Sequence, residues 1–146
     1  MPVSGGEPVA APWPEHVRLE SLPALMMDEN FGALRAKPGQ DLEAVKRERA
    51  ARLFALFERE RPAVFLAELY PFGRKAFAFE LDPLLDAIRQ GRFGPVLTAC
   101  SLRDILVEKR DQAVYERRVL ERLNACFDLV LIHADPALQR LDETFE

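Results

Sequence analysis

Three short apolar runs, separated by stretches whose apolar residues recur at helical spacing, constrain this chain more than any other feature. The runs are Ala63 to Leu69 (AVFLAEL), Pro95 to Cys100 (PVLTAC) and Phe127 to His133 (FDLVLIH). Each is nearly continuous in apolar and β-branched residues, the pattern of a strand covered on both faces of a parallel sheet. Parallel neighbours cannot be joined by a tight turn, so the stretches between the runs read as crossover helices. The expected class is therefore α/β, with a mainly parallel sheet flanked by helices.

The helical stretches carry their own punctuation. Ala50, Leu53, Phe54 and Phe57 fall at i, i+3, i+4 and i+7, and Asp41 is placed to cap the helix that bears them. A second stripe runs through Phe77, Leu81, Leu84, Leu85 and Ile88. Pro83 interrupts it, and a helix that breaks and restarts with Asp82 as cap and Pro83 at the first position resolves the conflict. Gly91 then serves as the terminating residue. Asp111 opens a third stripe at Tyr115, Val119, Leu123 and Cys126.

Residues 1–40 read differently. Six of the 11 prolines lie between Pro2 and Pro38, and only Val17 to Leu22 alternates like a half-buried strand, so this part is expected to be a loop-rich segment with one strand near 17–22. Residues 41–146 form the expected core. With 49% hydrophobic and 30% charged residues the chain is too apolar to stay disordered. A net charge of −4, with basic residues dispersed among acidic ones, argues against a nucleic-acid partner. No apolar run approaches the ~20 residues of a membrane span, and the amino terminus lacks the charge and apolar stretch of a secretory leader, which implies a cytoplasmic protein. Cys100 and Cys126 stand alone, without metal-ligand spacing, and read as reduced core thiols; no metal and no cofactor are expected.

In an open parallel sheet, ligands bind beyond the carboxyl ends of the strands. That rule gathers scattered residues into one candidate rim: Glu68, Phe72 and Arg74 after the first run, Ser101, Arg103 and Asp104 after the second, His133 and Asp135 after the third. A carboxylate ending a buried strand must be paired or hydrogen-bonded, so Glu68 is either half of a structural ion pair with Arg74 or Arg103, or an acceptor for ligand hydroxyls. Arg103 and Asp104 offer the same choice between a helix cap and a binding fork. His133, with Asp135 two positions on, is either held by a turn or available as a base. Gly5 and Gly6 permit close approach of a phosphate or sugar, or simply a tight turn. His16 is expected at the surface. No GxGxxG, Walker, GxSxG or HExxH pattern occurs.

Three tracts, Glu68 to Leu85 (ELYPFGRKAFAFELDPLL), Cys100 to Asp111 (CSLRDILVEKRD) and Phe127 to Phe145 (FDLVLIHADPALQRLDETF), resemble a bacterial family of predicted glycosyltransferases related to MurG, the UDP-N-acetylglucosamine transferase of peptidoglycan synthesis. The resemblance runs from about Gly5 onward. It implies an incomplete Rossmann-like three-layer domain with a sheet of about four strands, the acceptor-side half of a two-domain (GT-B) enzyme. In such a family a first strand with a glycine- and histidine-bearing loop precedes the matched region, and a donor domain follows it; neither is expected within these residues. The implied function is a fragment of a transferase that moves a sugar from a nucleotide-sugar to an unknown acceptor, a small molecule or glycolipid, and is inactive alone. The nucleotide-sugar would be held only by the absent donor domain. The alternative is a non-catalytic binding or assembly module that self-associates through an exposed sheet edge.

Overall fold

A computed structural model describes residues 1–6, 13–28, 33–103 and 111–133. The chain divides into two compact units, Met1–Glu60 with Phe79–Leu84, and Arg61–Ala78 with Leu85–Glu146. Each is described by itself.

Among its described residues the first unit holds four two-residue strands and one long helix. β1 (Val3–Ser4) pairs parallel with β2 (Glu20–Ser21), and β3 (Met26–Met27) pairs antiparallel with β4 (Leu34–Arg35). α1 spans Leu42–Glu60 and begins where the carboxylate of Asp41 accepts the amide of Ala44 at 2.8 Å, satisfying one of the donors a helix start leaves open. Its buried positions are Val45, Arg49, Leu53, Leu56 and Phe57. The inward stripe therefore passes through an arginine, whose guanidinium meets Glu80 in two parallel bonds of 2.8 and 2.6 Å and donates to the carbonyls of Gly5 at 2.9 Å and Pro23 at 2.6 Å. Arg49 and Glu80 are almost fully buried, so removing either partner alone would strand a charge and cost about 3–5 kcal/mol.

The second unit contains the parallel sheet. β5 (Val64–Glu68), β6 (Leu97–Arg103) and β7 (Leu129–His133) lie in the order β5-β6-β7, and both pairings are parallel. The sheet has three strands among the described residues; β1 and β2 form a separate parallel pair. α3 (Gln112–Cys126) starts at Asp111, whose side chain accepts the amide of Val114 at 3.3 Å.

α2 (Ala78–Arg89) follows a single 3-10 turn at Lys75–Phe77 and is unbroken through Pro83, contrary to the expected restart at Asp82. Proline removes one backbone bond, but Glu80, Leu84 and Leu85, on either side of it, are buried in a continuous helix and outweigh that loss. Gly91 does terminate the segment: at φ +75° it adopts the left-handed conformation and its amide reaches the Ile88 carbonyl at 2.9 Å.

The expectation that the strands are covered on both faces is also corrected. The β5-β6-β7 register puts Val64, Leu66, Leu97, Ala99, Leu129 and Leu131 on one face; all but Ala99 are exposed. Ala67, Thr98, Cys100 and Leu102 are buried on the other, where Val130 and Ile132 of β7 alone are exposed among the large apolar residues. Winding explains the asymmetry. The steps from β5 to β6 and from β6 to β7 run in the same direction, and right-handed crossovers then carry both helices to one face. Thr98 records this, since its hydroxyl lies 2.7 Å from the carbonyl of Cys126 in α3 and accepts Arg89 Nη2 of α2 at 2.8 Å.

Asp128 fastens the start of β7 to β6. Its carboxylate accepts the Thr98 amide at 2.7 Å and Arg89 Nη1 at 2.8 Å, and lies 2.9 Å from the Thr98 hydroxyl. The amide bond, followed by the guanidinium, holds the carboxyl down to about 2, below its ordinary value of 3.8. A depressed carboxylate contributes stability that is complete above the ordinary value and lost as the pH falls through the folded one. Stability in urea should therefore fall between pH 4 and pH 2, the window set by these two values. Asp128→Asn should cost about 1–2 kcal/mol at neutral pH, discounting for partial exposure, and should flatten that acid slope.

Candidate functional site at the carboxyl rim of the parallel sheet

Because the three strands run the same way, their last residues meet at one edge. β5 ends at Glu68, β6 at Arg103 and β7 at His133. Glu68 is in register with Ser101, and Arg103 with His133. Residues two apart on a strand share a face, so Glu68, Ser101 and His133 belong to the same face as the exposed apolar residues and continue it at the carboxyl end.

The polar groups are in hydrogen-bonding contact. Ser101 Oγ and His133 Nε2 are 2.8 Å apart, and Arg74 Nη2 donates to Glu68 Oε2 at 3.0 Å. Both members of the Glu68–Arg74 pair are about half exposed, so the pair contributes little to stability. Arg74 reaches Glu68 because its backbone is left-handed, at φ 53°, where it opens the 3-10 turn. Leu69 is left-handed as well, at φ 62°, and the two residues bracket a tight loop.

That loop is anchored rather than draped. Tyr70, Pro71 and Phe72 are buried, and the Tyr115 hydroxyl of α3 donates to the Phe72 carbonyl at 2.8 Å. Burial pushes the Tyr115 hydroxyl above its ordinary pKa, so it remains protonated and a donor at any physiological pH. Phe72, expected to line the cleft, is instead a core residue that holds the loop in place. Cys100, one residue before Ser101, is buried and its thiol is pushed up to about 11 by loss of solvent, which keeps it inert.

Gly5 and Gly6 belong to the first unit. A Cβ on Gly5 would stand 2.5 Å from Arg49 Nη2, so its missing side chain makes room for the guanidinium, not for a phosphate or sugar. Gly6 has nothing within 4 Å of such an atom, and its neighbours place no demand on its size. Asp104 and Asp135 lie outside the described residues, and His16 is exposed. Among the described residues no group of three or more histidine, cysteine, aspartate or glutamate side chains is arranged to hold a metal ion, and no helix is long and apolar enough to cross a membrane.

Two features went unread in the sequence. Tyr115 was visible only as an apolar stripe position, because spacing does not reveal where a hydroxyl ends. Arg49 did leave a signal: it falls between Val45 and Leu53 at four-residue intervals, a charge on an apolar stripe that demands a buried partner.

What the fold and the rim define together is a mixed α/β chain whose three-stranded parallel sheet presents a carboxylate, a hydroxyl and an imidazole at one end. The chain matches no family model, no curated protein and no solved structure.

The anchoring of the loop is directly measurable. Tyr115→Phe removes the donor to a buried carbonyl and should cost about 1–3 kcal/mol in urea unfolding. Amide exchange should accelerate across Leu69 to Arg74 beyond the global change, while β6 should lose protection only in step with it.

Proposed function

We propose that this chain is the acceptor-side part of a glycosyltransferase of the two-Rossmann-domain kind, and that its sheet rim binds hydroxyl groups of the acceptor. The observation that carries the reading is the convergence of Glu68, Ser101 and His133 on one face at the carboxyl ends of three parallel strands. A sugar or polyol offers hydroxyls that both donate and accept. A carboxylate accepts hydroxyl donors, and a serine hydroxyl paired with an imidazole can supply either role. The tracts Glu68 to Leu85, Cys100 to Asp111 and Phe127 to Phe145, with their likeness to MurG-related transferases, support the same reading independently of the geometry.

In this proposal Glu68 fixes the acceptor by charge-assisted hydrogen bonds, Arg74 holds Glu68 in place, and Ser101 and His133 orient a second hydroxyl. A Rossmann-like layering, with a further strand and its helix against the exposed sheet face, belongs to the proposal as well. Sugar transfer itself requires a nucleotide-sugar site, which the proposal assigns to a donor domain outside these residues.

One observation favours a second reading, a binding or assembly module without catalysis. Val64, Leu66, Leu97, Leu129 and Leu131 form an exposed apolar patch, and such patches commonly mark a surface that another polypeptide covers.

Amide spectra of the labelled chain, titrated with a panel of simple glycosides and with nucleotide-sugars, separate the two readings. The transferase reading expects glycosides to shift the amides of Glu68, Ser101 and His133 and nucleotide-sugars to leave them unmoved. Glu68→Gln should weaken glycoside binding by about tenfold or more, the loss of one charge-assisted bond. Absence of any rim shift across the panel would remove the acceptor site and leave the module.

A further inference from the structure

Among the described residues β7 is an edge of the sheet, and it is exposed on both faces. Leu129 and Leu131 on one side, Val130 and Ile132 on the other, are each between 36% and 47% accessible. The backbone direction follows from the ladder. The amide of Leu97 reaches Ala63 and the carbonyl of Ser101 receives Leu69, so Leu97, Ala99 and Ser101 are the β6 residues bonded toward β5. By alternation Thr98, Cys100 and Leu102 turn toward β7, and in the register Ala99–Leu129 and Ser101–Leu131 the residues answering them are Leu129, Leu131 and His133. Val130 and Ile132 therefore direct their backbone N–H and C=O groups away from the sheet.

Edge strands of soluble proteins are ordinarily blunted by a charge, a proline or a bulge. Leu129 to Ile132 carries none of these. The segment LVLI is uncharged, rich in β-forming residues and continuous with a sheet of three strands among the described residues. No strand pairs with its outer side among the described residues.

We propose that β7 is a homotypic assembly edge, in which the β7 strands of two copies of this chain pair antiparallel across a two-fold axis at Leu131. The inference is independent of whether the rim binds an acceptor. What selects a second copy is the self-complementarity of the segment. With Leu131 opposite Leu131 of the second copy, Val130 faces Ile132 and Leu129 faces His133, so all five strand residues find cross-strand partners. Val130 and Ile132, whose backbone groups point outward, become the hydrogen-bonded pairs, and Leu131 occupies the non-hydrogen-bonded position where side chains approach most closely. Any shift of register by one residue would oppose an outward-directed backbone to one directed into its own sheet. The chain's net charge of −4 does not oppose the contact locally, because Leu129 to Ile132 bears no charge. Two copies then share one six-stranded sheet, and the symmetry closes the assembly at two.

The test uses the full chain in sedimentation equilibrium over a wide concentration range, with circular dichroism to verify folding. The parent chain should approach twice its 16.6 kDa mass as concentration rises. Leu131→Lys and Leu131→Glu place like charges against each other at the axis and should each remain monomeric, with the fold intact because Leu131 is 44% exposed. Mixing the two variants should restore the dimer, since lysine then faces glutamate. A parent chain that stays monomeric would overturn the proposal. So would single variants that dimerise like the parent, an equimolar mixture that stays monomeric, or open-ended growth beyond two copies.

Discussion

The hydrogen bonding of β6 to β5 on one side and to β7 on the other, all in one direction, is the constraint on which the rest of the second unit depends. Parallel pairing forces each connection to cross the sheet, which produces α2 and α3, and it brings three strand ends to a single edge. It also decides which residues share a face. A slip of one residue in either pairing would turn Glu68 or His133 to the side occupied by helices and separate the groups that now lie together. Asp128 opposes such a slip, because its carboxylate bonds the amide and lies beside the hydroxyl of Thr98 at the point where β7 begins.

Much of this was legible in the sequence, and the reason is local. Val64 to Glu68, Leu97 to Arg103 and Leu129 to His133 are short apolar runs separated by helix-length stretches, a spacing that leaves few topologies open. Asp41 and Asp111 cap the helices they precede, and Gly91 ends the one it follows. Features set by tertiary surroundings were not legible. A proline at position 83 argues locally for a break, yet burial of Leu84 and Leu85 carries the helix through it. Apolar runs suggest strands covered on both faces, but composition cannot say whether the described chain supplies the second cover, and here one face of β5 and β6 is covered and neither face of β7.

The candidate site was partly legible for the same reason. Counting to the end of each run located Glu68, Ser101 and His133, because strand length and direction fix where a chain leaves a sheet. Their mutual distances were not accessible from spacing, nor was the choice of Arg74 as partner for Glu68. That choice depends on two left-handed residues, Leu69 and Arg74, neither a glycine that would have advertised the turn. Gly5 illustrates the opposite failure. Its context suggested ligand approach, whereas the space beside it is filled by Arg49, a residue distant in sequence.

The central claim is that three strands lie side by side and parallel, so that their polar ends form one surface. Interstrand proton contacts in an isotope-labelled sample test it most directly. The account predicts amide-to-α-proton contacts linking Ala67 with Cys100 and Cys100 with Val130, in the parallel register, together with a close approach between the side chains of Ser101 and His133. Short α-proton to α-proton contacts between any two of these strands, the mark of antiparallel neighbours, would contradict it.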